Sequence, residues 1–222
     1  MVPADTARSP AKAQRTRAAI LAAAEPLFAR RGYAATRLED VADAVGVKRA
    51  ALFYHFRDKQ SLYDAVIEDA FGALVARLDA AFSAPSPIAA RIERAVEAWV
   101  DAMVERPTLA RLILRHTAEV EEHPTQIMFP AVERLLRESW SLFEQGRASG
   151  ELDPLHDDPF HAASAVLGAT VFYVSALASL LPAGDFDPRA PEQVAAHKRD
   201  ALRTVRRLLG IGAPRRVRRS GT

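Results

Sequence analysis

Lys48, Arg49, Tyr54 and His55 sit close together in the run LEDVADAVGVKRAALFYHF, Leu38 to Phe56. Lysine and arginine neutralise phosphate, and arginine can also make two hydrogen bonds to a guanine edge. A phenol or an imidazole can reach the sugar–phosphate backbone, which fixes register without reading sequence. Such side chains act together only if a rigid strip presents them, and the run supplies one. It reads as a short helix, a break at Gly46 and a second short helix carrying the four residues. A packing helix, a tight glycine turn and a second helix of this kind form a helix-turn-helix, which predicts binding to double-stranded DNA.

The elements around this run follow from apolar spacing and from Gly and Pro punctuation. Ile20, Leu21, Ala24, Leu27 and Phe28 share one face of a helix over about Lys12–Arg31, ended by Gly32. Pro26 lies inside it, where a missing N–H predicts a kink. Thr36 with Glu39 three positions on reads as a capping box for the next helix, which carries Leu38, Val41, Ala42 and Val45 on one face. The second helix, about Lys48–Tyr54, buries Ala51, Leu52 and Phe56. Asp58 caps a long helix to about Phe82, and SAPSP (Ser83–Pro87) breaks the chain. Further helices are predicted at roughly 88–105, 107–121, 128–149, 158–181 and 191–209, bounded by Pro107, Pro124, Gly150, Pro154 and the Pro182–Pro191 loop. No alternating strand pattern stands out, so the predicted class is all-α. The organisation expected is a flexible arm (1–11), a DNA-binding domain (12–60), a ligand-binding and dimerisation domain (61–210) and a basic flexible tail (211–222).

Charge is divided along the chain in the same way. Residues 1–60 carry a net +5, residues 61–197 a net −11 and residues 198–222 a net +8. A basic head on an acidic body suits docking of one end on polyphosphate. The tail arginines Arg215, Arg216, Arg218 and Arg219 either add non-specific DNA affinity or form a solvated face. With no cysteine, neither a disulfide framework nor a thiolate zinc site is available. The opening residues MVPADTARSPAKAQRTR lack the apolar core of a secretory signal, so a cytoplasmic location is expected. Ala162 to Leu181 is uncharged over twenty residues, long enough for a membrane span. Its richness in Ala, Ser, Thr and Gly, without flanking basic clusters, favours a helix in a subunit interface or bundle core, and no membrane partner is expected.

The stretch AILAAAEPLFARRGYAATRLEDVADAVGVKRAALFYHFRDKQSLYDAVI resembles the tetracycline-repressor (TetR) family of bacterial regulators. Six pieces fall in the family's order and spacing: "LF", "RGY", Thr36, "VADAVGV", "LFYHF" and "DKQSL". The resemblance implies a three-helix DNA-binding head followed by a helical regulatory domain. It also implies a homodimer on an inverted-repeat operator, released when a small-molecule effector binds. Carried onto this sequence, Tyr54, His55 and Lys59 match positions that touch the DNA backbone. Lys48 and Arg49 stand at the groove-facing start of the recognition helix, and Ala50 can face a thymine methyl or pack. Thr36 either adds a phosphate contact or serves as a cap alone, and His55 alternatively packs under the helix. Two positions depart from the family: Lys48 stands where Ser or Thr often caps, and Phe53 where Tyr is usual.

For the body, Trp99, Met103, Leu112, Phe129, Trp140, Phe143, Phe172 and Tyr173 are candidate cavity-lining residues, with Arg115 and His116 as polar anchors. They lean towards a small apolar or amphipathic ligand. Ala165, Gly168, Ala169, Phe172, Ala176 and Ser179 would let the last two long helices approach symmetry mates in a four-helix bundle. His156, Asp157, Asp158 and His161 are the one group with metal-ligand chemistry. Asp157 and Asp158 read as helix-capping carboxylates, and histidines five apart do not share a helix face, so no metal is expected. There is no nucleophile elbow, P-loop, dinucleotide fingerprint or HExxH run, so neither an enzyme nor a cofactor is expected. The alternative function is an architectural DNA-binding protein without a ligand.

Overall fold

A computed structural model describes residues 10–119, 129–177, 180–181 and 186–212. The arm before residue 10, Pro124, Ser179, Pro182 and the tail arginines lie outside these residues. The described residues are all-α, with no strand among them. The helices are α1 Pro10–Ala35, α2 Leu38–Val45, α3 Arg49–His55, α4 Lys59–Phe82, α5 Ile88–Glu105, α6 Pro107–Glu119, α7 Phe129–Ser149, α8 Phe160–Phe172 and α9 Pro191–Leu209. A π-helical turn, Tyr173–Leu177, follows α8 directly.

Contacts divide the chain into two units. The head comprises the described residues 10–70 and 112–119, and the body 71–111 with the described residues from 129 onward. The start of α4 through Ala70 and the last turns of α6 join the head.

In the head, α1 packs on α2 and α2 on α3. The predicted apolar face of α1 is buried throughout, as are Val41, Ala42, Leu52 and Phe56. Phe28, Tyr33 and Tyr63 form an aromatic cluster, with Phe28 and Tyr33 edge-on to Tyr63 at 5.0 and 5.2 Å. Such pairs contribute about 0.5–1.5 kcal/mol beyond area burial. Pro26 lies within α1 with helical dihedrals around it, and the non-helical dihedrals in α1 fall at Gly32 (φ 78°, ψ 177°). The capping box at Thr36 is also overturned. Gly32 breaks the helix and frees its carbonyl, and the buried Thr36 hydroxyl donates to that carbonyl at 2.7 Å. The N-cap of α2 is Arg37, with no side-chain cap bond, and Glu39 and Asp40 favour the positive end of the helix by charge.

In the body, α5 packs against α7, α8 and α9, and α8 against α9. Its core includes Trp99, Val100, Met103, Leu142, Phe143, Val166, Val205 and Leu209. Two ion pairs join antiparallel α5 and α9. Arg206 meets Glu93 through two bonds at 2.7 and 2.9 Å, and Lys198 meets Asp101 at 2.5 Å. The Arg206 guanidinium holds the Glu93 carboxyl below the ordinary carboxylate range. The chain after α7 is pinned to the end of α9: Asp153 and Leu155 N–H groups donate to the carbonyls of Leu209 and Leu208 at 3.1 and 2.9 Å. Gly210 closes α9 in the left-handed region (φ 64°), and a Cβ there would lie 2.1 Å from the Asp153 carbonyl oxygen. Both the backbone twist and the close approach therefore require glycine at this point.

Candidate DNA interface

The helix-turn-helix is built by a glycine turn with a complete set of backbone bonds. Gly46 lies at φ 72°, ψ 33°, its N–H bonding Asp43 O, while the Val47 N–H bonds Ala42 O at 3.0 Å. These two bonds form a Schellman closure, which satisfies carbonyls that α2 would otherwise leave unpaired. The next helix starts two residues later. Lys48 occupies its N-cap with no side-chain cap bond, because an ammonium has nothing to accept with. A cleft of about 570 Å³ lies beside the turn, lined by Glu39, Ala42, Asp43, Gly46, Val47, Lys48 and Arg49.

The seven candidate DNA residues separate into two groups. Lys48, Arg49, Ala50 and Tyr54 are exposed, Tyr54 at 68%. Arg49 Nη1 lies 2.6 Å from Glu39 Oε1, and its guanidinium carbon is 5.4 Å from the centre of the Phe53 ring. The other three are engaged within the head. Thr36 is buried and bonded to Gly32. Lys59 Nζ donates to Ala34 O at 3.0 Å and sits 4.4 Å from the Tyr33 ring centre. His55 is half-buried, its ring edge-on to Tyr54 at 5.0 Å. The N-terminus of α4 is closed by reciprocal bonds, Ser61 N–H to Asp58 Oδ1 at 2.7 Å and Asp58 N–H to Ser61 Oγ at 3.1 Å. The Ser61 N–H, followed by the Arg57 side chain, holds the Asp58 carboxyl below its ordinary range.

Sequence reasoning missed Glu39 and Phe53 as neighbours of Arg49. The i, i+4 spacing of Arg49 and Phe53 was available as a signal. The Glu39 contact crosses from α2 to α3 and has no spacing rule.

The ten candidate ligand residues are divided between the two units. Trp99, Met103 and Phe143 are buried in the body, and the Trp99 indole Nε1 is buried without a hydrogen-bond partner among the described residues. Tyr173 is half-buried, stacked 4.1 Å from His197, with its hydroxyl donating to Gln193 O at 3.3 Å. Trp140 and Phe172 are exposed at 40% and 49%. Leu112, Arg115 and His116 belong to the head, where Arg115 donates to Arg30 O at 3.1 Å and His116 Nδ1 lies 3.5 Å from the Tyr63 hydroxyl. Phe129 opens α7, with its side chain outside the described residues. A body cleft of about 230 Å³, lined by Phe82, Ser83, Arg91, Glu138, Ser141, Leu142 and Gln145, includes none of them.

No group of three or more metal-ligating side chains occurs among the described residues. Asp158 instead accepts the Phe160 N–H at 2.8 Å, and Asp157 pairs with Arg147 at 3.3 Å. The rings of His156 and His161 stack at 4.1 Å despite their spacing, because the segment between them is not helical. The segment Phe160–Leu177 is long and apolar enough to cross a membrane, and 28% of it is buried in this chain. Much of its surface is therefore exposed in this chain.

A glycine-closed helix-turn-helix with a cationic second helix, followed by an all-α body, defines a class of helix-turn-helix proteins. The sequence profile of bacterial regulatory proteins of the tetR family matches residues 20–66 of this chain. The chain is 44% identical over 61 residues to the HTH-type transcriptional regulator TtgR of Pseudomonas putida, covering 28% of this chain and 29% of TtgR. It thus spans under a third of that relative's length. It is 27% identical over 184 residues to the HTH-type transcriptional regulator RutR of Escherichia coli K12, covering 83% of this chain and 81% of RutR. AibR, solved with isovaleryl coenzyme A and operator DNA, shares the fold at a TM-score of 0.66 and 16% identity, covering 84% of this chain and 96% of AibR.

Proposed function

We propose that this chain is a DNA-binding transcriptional regulator, a repressor released from an inverted-repeat operator by a small apolar or amphipathic effector. The observation that carries this reading is the exposed face of α3, which offers Lys48, Arg49, Ala50 and Tyr54 beside a rigid glycine turn. Two exposed cations, a phenol and a small apolar side chain on one short element combine phosphate anchoring with base-edge readout. Lys59, His55 and Thr36 support that face from within the head. The likeness to TtgR and RutR, both transcriptional regulators, supports the same reading. No catalytic role is assigned, and the site of action is the cytoplasm.

The effector site belongs to the body, around Trp99, Met103 and Phe143. A buried indole N–H without an acceptor costs about 1–3 kcal/mol, so an effector carrying one acceptor oxygen would find its polar anchor at Trp99. The working form is a homodimer through α8 and α9. Phe160, Leu167 and Phe172 are exposed on α8, and Gly168 leaves open space for close helix approach.

The test is selection of random duplexes by the purified protein, followed by titration of the best site at several salt concentrations. Recovery of one inverted repeat, bound two chains per site, supports the regulator. Salt-sensitive binding without a motif would replace it with the architectural alternative.

A further inference from the structure

Arg49 is an exposed arginine held from two directions. Glu39, on α2, takes Nη1 at 2.6 Å, and Phe53, one turn further along α3, lies beneath the guanidinium at 5.4 Å. Among the described residues, Nε and Nη2 have no hydrogen-bond partner, so one edge of the planar fork stays open. Resting on the DNA-binding reading above, we propose that Glu39 and Phe53 are positioning residues that set the base preference of Arg49. They hold its guanidinium so that the open edge meets a guanine rather than a phosphate.

A free arginine on the groove-facing end of a helix has two targets. Phosphate oxygens accept from almost any approach, whereas guanine O6 and N7 accept the fork only in one plane. A long flexible side chain therefore defaults to the backbone unless its plane is set beforehand. Phe53 restrains that plane, because its ring lies 5.4 Å from the guanidinium carbon, within cation–π range. Glu39 sets the rotation within it, and its negative charge opposes a swing of the same side chain towards a phosphate. Adenine, with an amino donor beside N7, mismatches a fork that offers two donors.

The ion pair is not a lock against DNA. The Arg49 and Glu39 side chains are 59% and 51% exposed, and an ion pair so open to water is too weak to exclude a polyanion. Glu39 and Asp40 work alike here, for Asp40 pairs with Arg31 of α1 while Glu39 pairs with Arg49 of α3. The first turn of α2 orients one arginine on each neighbouring helix. Phe53 has the same logic. Its ring is 45% exposed, which the head's core does not require, and its contact with Arg49 gives the exposure a purpose.

The experiment compares the full chain with its Glu39→Gln, Phe53→Ala, Phe53→Tyr and Arg49→Ala variants. The probes are the selected operator duplex and copies with each base pair changed singly. Arg49→Ala identifies its base pair by abolishing a preference of about 5- to 150-fold there. Glu39→Gln and Phe53→Ala are expected to narrow that same preference by about 3- to 10-fold, leaving other positions unchanged. Affinity for unrelated DNA is expected to hold or rise, and the salt slope to steepen by up to about 0.9 as Arg49 moves to a phosphate. Phe53→Tyr, which keeps the ring, should preserve the preference. An unchanged preference at the Arg49 base pair in Glu39→Gln overturns the proposal, even if overall affinity rises. Should Phe53→Ala lose helical signal, Glu39→Gln alone decides, since that substitution changes one exposed atom. A wild-type chain that selects no motif fails the regulator reading itself, and this proposal with it.

Discussion

The head and the body use arginine for different ends. In the body, Arg206 is closed by two bonds to Glu93, and Arg77 and Arg134 pair with Glu105 and Asp79. These pairs staple helices together. In the head, Arg49 keeps an open edge while one carboxylate and one ring restrain it. The exposed apolar groups reverse the pattern. The body leaves Phe160, Leu167 and Phe172 uncovered on one helix, whereas the head's exposed aromatics, Phe53 and Tyr54, flank cations on the recognition helix. Exposed charge thus marks α3 of the head, and exposed apolar surface marks α8 of the body. A side chain's functional class follows from what its own unit leaves unsatisfied.

The contrast is most forcefully tested through the two cores. Phe143→Ala, at 1% exposure, is expected to destabilise the body by about 3–5 kcal/mol, and Leu52→Ala, also at 1%, the head by about 2–5 kcal/mol. In denaturant titrations followed alongside DNA binding, Leu52→Ala should abolish binding before the bulk of helical signal is lost. A single shared transition would erase the distinction between the units. Next in size, Asp58→Ala removes the cap of α4 and is expected to cost about 1 kcal/mol in thermal unfolding. Lys48 and Lys59 sharpen the division within the head. Lys48→Ala should lower the salt slope of DNA binding by about 0.9, while Lys59→Ala leaves the slope intact and lowers stability instead. Equal slopes for the two variants would put Lys59 back among the phosphate contacts.

The smallest effect expected is in the body and concerns pH. His197 Nε2 lies 3.0 Å from the buried Thr170 hydroxyl, which itself donates to Val166 O, so the ring nitrogen donates. Burial lowers the His197 pKa below the ordinary 6.5, with Asp200 opposing. The unfolded chain then binds the extra proton first, so stability is full above 6.5 and declines as pH falls below it. Melting temperatures across that window should fall in the wild type and flatten in His197→Gln.

Much of this arrangement was legible from local rules. The bounds 88–105 and 191–209 fell where Pro and Gly punctuate the chain, and Gly46 closed α2 as its position required. What failed depended on distant geometry. The Thr36 hydroxyl turned back because Gly32 freed a carbonyl, and Glu39, expected in a capping box, was drawn to Arg49 instead. Arg115 and His116 sit late in α6, and only the packing of that helix against Arg30 and Tyr63 assigns them to the head. The stacked rings of His156 and His161 show the limit of a helical spacing rule applied to a segment that is not a helix. Ligand-lining residues were the least legible, since an apolar side chain in a core and one facing a cavity obey the same pattern.

The carboxylate that steadies Arg49 belongs to α2, not to α3. A chimera carrying only residues 49–55 of this chain in another head would inherit the arginine and the phenylalanine but not their partner. Its operator choice would drift toward the indiscriminate. Transplanting the preference requires the pair of helices and the turn between them as one cassette, residues 38–55. In this head the smallest portable unit of DNA recognition is a corner, not a helix.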